Sequence, residues 1–135
     1  MAEPKFAKIN VLVRDAQAAY AFAQEVLGAA VVSAPHAAPI GEVALVDLHG
    51  LVMEFIQPPP GSPMEAIIDR RGEGIDSIGF ATDDVTELAS GIEARGGRFV
   101  RPTDSGLDET AWLHPKNPLS ISIEQFNSAA IEQPD

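Results

Sequence analysis

Alternating apolar residues give way to helical spacing and then alternate again, and this succession occurs twice along the chain. Phe6–Val13 (FAKINVLV) is β-branched and apolar and predicts a strand. Asp15 then stands as an N-cap before Ala16–Leu27, whose apolar positions recur at helical spacing as far as Gly28. Three strands are expected next, Ala30–Ser33, Glu42–Leu48 and Leu51–Gln57, with His49-Gly50 turning the last two into a hairpin. Gln57–Pro63 (QPPPGSP) is too rich in proline for regular structure, and Met64–Arg71 predicts a short helix. A strand over Ile75–Thr82 restarts the order. Asp84 caps a helix to Arg95, Gly96-Gly97 stops it, and strands follow over Arg98–Arg101, Thr110–His114 and Leu119–Phe126.

The repetition has a fixed offset. Asp84 follows Asp15 by 69 residues, Gly97 follows Gly28 by 69, and Glu124 follows Glu54 by 70. We therefore read two tandem βαβββ modules. One module alone has too few elements to bury its sheet. The expected fold is α+β, with the two modules forming a curved sheet around a cavity and the helices outside. It is expected as one domain over residues 1–135, with module one at 5–57, a linker at 58–74, module two at 75–126 and a frayed tail at 127–135.

Strand alternation sorts the side chains by face. Lys8, Asn10 and Leu12 lie opposite Ile9, Val11 and Val13; Ser120, Ser122 and Glu124 lie opposite Leu119, Ile121 and Ile123. Lys8 advanced by the repeat falls on Ser77. Lys8, Glu54, Ser77 and Glu124 thus take equivalent places on the first and last strands of the two modules. Glu54 and Glu124 each interrupt an apolar strand, where a carboxylate is costly unless paired, hydrated or metal-bound. Solvated acids on an exposed sheet face are the plainer alternative.

Charge and composition narrow the partners. Twenty acidic against nine basic residues give a net charge of −11, which disfavours nucleic acid and anionic membranes. No apolar run approaches a membrane span, and the first residues lack the layout of a signal peptide, so a cytoplasmic protein is expected. With no Cys, disulfides, thiolate metal sites and thiol nucleophiles are excluded.

The stretches VRD (13–15), EVLGAAVV (25–32), SPMEAIIDRRGEGIDSIGFATDD (62–84) and AWLHPKNPLSISIE (111–124) carry a resemblance. The chain resembles the glyoxalase/bleomycin-resistance/extradiol-dioxygenase (vicinal oxygen chelate) superfamily, and within it the methylmalonyl-CoA epimerase branch. The resemblance implies paired βαβββ modules, commonly homodimers, and a divalent metal held by four side chains. The carried-over positions are Lys8, Glu54, Ser77 and Glu124. Two acids match acceptable ligands, while Lys8 and Ser77 replace histidines.

A protonated Lys has no lone pair and repels a dication, and Ser is a weak ligand for transition metals. We expect no cofactor, a divalent metal being disfavoured. Either Lys8 takes the metal's place between Glu54 and Glu124, or it snorkels to solvent at the strand end. The resemblance implies a lyase or isomerase moving a proton on a small carbonyl or acyl-thioester ligand, with Glu54 or Glu124 as the base; where Lys8 takes the metal's place, Lys8 is the third catalytic residue. Asn10, Ser77, Ser122 and Trp112 are candidates for substrate contact. The alternative is a metal-free small-molecule binding protein of antibiotic-sequestering type.

Epimerisation uses two opposed bases. Where the resemblance implies a further glutamate, in Pro35–Glu42, this chain has Pro39 or a neighbouring Ala, and Glu42 is the nearest acid. His36 (read as a loop), His49 (a hairpin turn) and His114 are read as surface or structural residues. Asp69-Arg70-Arg71 is either a contact for the phosphates of a CoA-like substrate or a solvated helix end. Met64 and Pro59 are expected to be exposed and to contribute to a subunit contact.

Overall fold

The structure, a computed structural model, describes residues 3–100 and 110–128. It divides into two compact units, Lys8–Asp76 forming most of one and Ser77 onward, with the residues up to Ala7, forming the other. The element order is β1 (Lys5–Leu12), α1 (Ala16–Glu25), β2 (Ala30–Ala38), β3 (Gly41–Leu48), β4 (Leu51–Gln57), α2 (Pro63–Arg71), β5 (Gly74–Thr82), α3 (Val85–Ala94), β6 (Phe99–Val100), β7 (Thr110–Leu113) and β8 (Ser122–Asn127). The fold is α+β, and each unit carries the expected βαβββ order.

Within the first unit the strands hydrogen-bond in the order β2-β3-β4-β1; within the second the order is β5-β8-β7-β6. In both, the first strand lies parallel to the fourth and the others are antiparallel. Asn10 pairs with Glu54 and Gly79 with Glu124, so the offsets of 69 and 70 residues reappear as register. The caps repeat as well. Asp15 (φ −144°, ψ 97°) accepts from the Ala18 amide, and Asp84 (φ −143°, ψ 94°) accepts from that of Glu87.

The helix stops do not repeat so closely. Gly28 has φ +76°, but in the second unit the left-handed position belongs to Gly96 (φ +99°), one residue before the repeat-matched Gly97. Gly97 is needed for space, because a Cβ there would lie 2.4 Å from the Ile92 side chain.

In each unit the long helix covers one sheet face. Val11, Val46 and Phe55 pack beneath Ala19, Tyr20 and Ala23 of α1. Val85 and Ala89 of α3 pack on Ala111, with Phe99 beside them. The short helix α2 packs on the other face. Leu12, Val43 and Ile56 lie on the face opposite α1 and are covered by Ile68, with Met64 and Ile67 at the margin. Met64 is therefore partly buried in this cluster, while Pro59 is exposed.

Several boundaries differ from the pattern-based reading. β2 runs to Ala38, past Pro35, because it is an edge strand with register shifts between Val31 and Ser33 and between Ser33 and His36. His36 consequently sits in a strand and not a loop. Its Nδ1 lies 2.8 Å from the Ala34 carbonyl oxygen.

The last strand starts at Ser122, not Leu119. Asn117 draws the preceding residues into a turn: its Oδ1 accepts from Leu119 N at 2.8 Å and Ser120 N at 3.1 Å. Leu119, Ser120 and Ile121 therefore leave the alternation, and Ser120 has φ +60°. Asn127 belongs to β8, while Arg101 and tail residues 129–135 lie outside the described residues.

Candidate functional site

In the first unit, α1 shields one sheet face, and Lys8, Asn10 and Glu54 occupy the other. Their local sequences, AKIN and VMEFI, are strand-forming, so alternation alone aims them away from the apolar core under α1. Lys8 Nζ donates to Glu54 Oε1. The Lys8 and Glu54 side chains are 10% and 11% exposed. Asn10, across β1–β4 from Glu54, is fully buried.

Of the two readings of Lys8, snorkelling to solvent is ruled out by this burial. Solvation of Glu54 on an open face is ruled out in the same way. Both members of this buried ion pair come from the chain itself.

In the second unit, Ser77, Ser122, Glu124 and Trp112 share the face turned away from α3. Ser77 pairs with Ser122 and Gly79 with Glu124 across β5–β8, and Trp112 pairs with Glu124 across β7–β8. Glu124 is 6% exposed and Ser77 1%. Trp112 is half-buried on this ladder, and core packing beneath the helix falls instead to its neighbour Ala111. Ser122 Oγ donates to the Leu113 carbonyl oxygen at 3.2 Å, which ties the two strands at the end of the face.

A divalent metal at the positions implied by the resemblance does not fit these residues. An ammonium already contacts the Glu54 oxygen that would have to bind the ion, and Lys8 offers no lone pair. Among the described residues, no group of three or more His, Asp or Glu side chains gathers as metal ligands.

Other candidates fall elsewhere. Glu42 lies, by alternation, on the Ala44 and Val46 face of β3, opposite the one that bears Glu54. Pro39 is in the turn before β3. His49 forms the β3–β4 turn with Gly50, both at positive φ.

The Asp69-Arg70-Arg71 helix end is largely committed. Asp69 accepts from Arg14 at 3.0 Å, and Arg71 donates to Asp76 at 2.7 Å. The Arg14–Asp69 pair is exposed and worth little, whereas the Asp76 side chain is only 14% exposed.

Sequence reading passed over the surroundings of His114. Its backbone N–H donates to the Arg98 carbonyl oxygen at 2.7 Å, extending the β6–β7 ladder by one pair. Its Nδ1 accepts from the Lys116 amide at 3.0 Å. Desolvation, followed by the charges of Arg98 and Lys116, holds its imidazole below the ordinary histidine value. The usable signal was alternation from Trp112, which continues to His114, but Arg98 joins it only through strand pairing.

Comparison with known proteins points one way. The sequence profile described as Glyoxalase/Bleomycin resistance protein/Dioxygenase superfamily matches residues 5–124. No curated protein matches the chain. Among solved structures, a hypothetical protein from Bacillus halodurans is similar with a TM-score of 0.80 at 20% identity, covering 94% of this chain and 96% of that one. Methylmalonyl-CoA epimerase from Mycobacterium tuberculosis gives 0.74 at 19% identity, covering 91% and 87%. A methylmalonyl-CoA epimerase solved in complex with methylmalonyl-CoA and NH4+ gives 0.78 at 22% identity, covering 98% and 100%.

Proposed function

The chain belongs to the Glyoxalase/Bleomycin resistance protein/Dioxygenase superfamily, and from that premise we propose that it is an epimerase-like isomerase. Its substrate is an acyl thioester with an acidic carbon beside the carbonyl, and its centre uses a lysine in place of a metal. The buried Lys8–Glu54 pair carries the proposal. Epimerase neighbours share the fold, and one of them was solved with both an acyl-CoA and an ammonium ion. Lys8 supplies an ammonium as part of the chain.

The chemistry needs a base to take the proton and a positive charge to hold the enolate oxygen that results. Glu124 takes the first task and Lys8 the second, with Glu54 keeping Lys8 charged and oriented. Reprotonation by water on the face opposite Glu124, with Glu124 giving its proton back to solvent, inverts the carbon with no net change in atoms or electrons. Asn10, Ser77, Ser122 and Trp112 contact the substrate in this reading. The proposal includes a homodimer, which sedimentation of the purified protein tests.

Incubating the protein with methylmalonyl-CoA in deuterium oxide tests the reaction. Exchange at the acidic carbon, lost in Glu124→Gln and in Lys8→Met, supports it. Stoichiometric transition metal in protein purified without chelator overturns the lysine-centred mechanism.

A binding protein without catalysis is the second reading. It is favoured by the engagement of Glu54 with Lys8, which occupies one of the two family acids. Tight ligand binding without exchange would select it.

A further inference from the structure

We infer that Arg98, His114 and Lys116 form a phosphate-recognition site for the phosphoester end of a coenzyme A thioester. The inference rests on the acyl-thioester reading above and extends it to the far end of the same ligand.

The site lies on the Glu124 face of the second unit. Glu124 pairs with Trp112, and Trp112 with Val100. One rung along, alternation places His114 and Arg98 on the same face, their backbones joined by the His114 N–H to Arg98 carbonyl bond of 2.7 Å. Two strand spacings and one two-residue step put the Arg98 Cα ~12 Å from that of Glu124, and the guanidinium extends the reach. A small keto acid held at Glu124 is too short to use these cations. A thioester on a long, flexible arm ending in phosphates is not.

The platform is rigid and its donors are defined. Asn117 Nδ2 donates to the His114 and Ile121 carbonyl oxygens at 2.7 and 2.8 Å, while its Oδ1 accepts two backbone amides. Because His114 Nδ1 accepts from the Lys116 amide, the ring proton of the neutral imidazole sits on Nε2, which is then a donor. Arg98 and Lys116 are exposed, and neither is in an ion pair among the described residues. In a chain of net charge −11, paired acids occupy most other basic positions near the first unit's α2. The lowered His114 basicity is a separate sign of local positive potential, after desolvation. Phosphate oxygens suit an Arg fork, an ammonium and a neutral N–H donor together.

Calorimetry with coenzyme A and with pantetheine, which lacks the phosphates, tests the site. Coenzyme A should bind at least about tenfold tighter, with the gap narrowing as salt rises from 50 to 200 mM (a roughly fourfold step across the screening range). Arg98→Gln/Lys116→Gln should close the gap, and Arg98→Lys/Lys116→Arg should keep most of it. Equal affinity for the two ligands, or an undiminished gap in the Gln variant, overturns the inference.

The isotope exchange keeps the two claims apart. A phosphate-dependent gap with no exchange on methylmalonyl-CoA overturns the isomerase reading and leaves the site standing. Exchange with equal KM for coenzyme A and pantetheine thioesters overturns the site alone.

Discussion

Lys8 reaches diagonally across β1–β4 to the Glu54 carboxylate, and both side chains are about nine-tenths buried. Partners this deep cannot exchange one another for water, so removing Lys8 takes away the ammonium that faces the Glu54 carboxylate. Lys8→Met should destabilise the protein by about 3–5 kcal/mol, whereas Lys8→Met combined with Glu54→Leu should cost far less. Chemical denaturation of Lys8→Met, Glu54→Leu and the double closes the cycle. Additive losses would show that the two charges do not depend on each other.

The two aspartate caps provide an independent check of the duplication. Asp15→Ala and Asp84→Ala should each cost about 0.5–2 kcal/mol, since each leaves a first-turn amide unsatisfied. The caps stand in separate units, so the double variant should lose the sum within about 0.5 kcal/mol. A much larger loss in one variant alone would mean that its aspartate does more than cap.

Gly41 and Gly28 separate backbone freedom from space. Both have positive φ, but a Cβ at Gly41 would lie 2.0 Å from the Gln57 carbonyl oxygen, whereas one at Gly28 meets nothing within 4 Å. Gly28→Ala should therefore cost about 1–2 kcal/mol of backbone strain. Gly41→Ala must also displace the end of β4, and its melting temperature should fall clearly further. Equal losses would contradict the tight β3–β4 approach.

Ile68 connects α2 to the sheet face it covers. Ile68→Ala empties space against Leu12, Val43 and Ile56 and should cost about 2–5 kcal/mol. Hydrogen exchange should then rise in α2 before it rises in α1, which packs on the opposite face. Uniform loss of protection would place α2 in the same cooperative unit as α1.

His114 should titrate below the ordinary histidine midpoint of about 6.5. The folded state then binds fewer protons than the unfolded state, so stability falls as pH drops through that value and levels off below the folded midpoint. Its imidazole resonances followed by NMR should move towards the unperturbed midpoint in Arg98→Gln/Lys116→Gln, by the share that those charges contribute. An unchanged midpoint would leave desolvation as the sole cause.

Duplication, the α+β class, the aspartate caps and the facing of Lys8, Glu54, Ser77 and Glu124 were legible in the sequence, because they follow from local periodicity and a constant offset. Boundaries were less legible where a side chain or an edge overrode propensity. Asn117 pulled Leu119–Ile121 out of an apparently good strand, and bulges carried β2 beyond Pro35.

By itself, then, the order of residues determined which side of each strand its polar groups take, since alternation is a property of the backbone. Tertiary structure decided who meets whom. Lys8 is neutralised by a carboxylate 46 positions away, α2 folds over Leu12 and Ile56, and Arg98 comes beside His114 through pairing of two strands. Such contacts depend on register and packing between distant segments, and no local pattern encodes the distance between them.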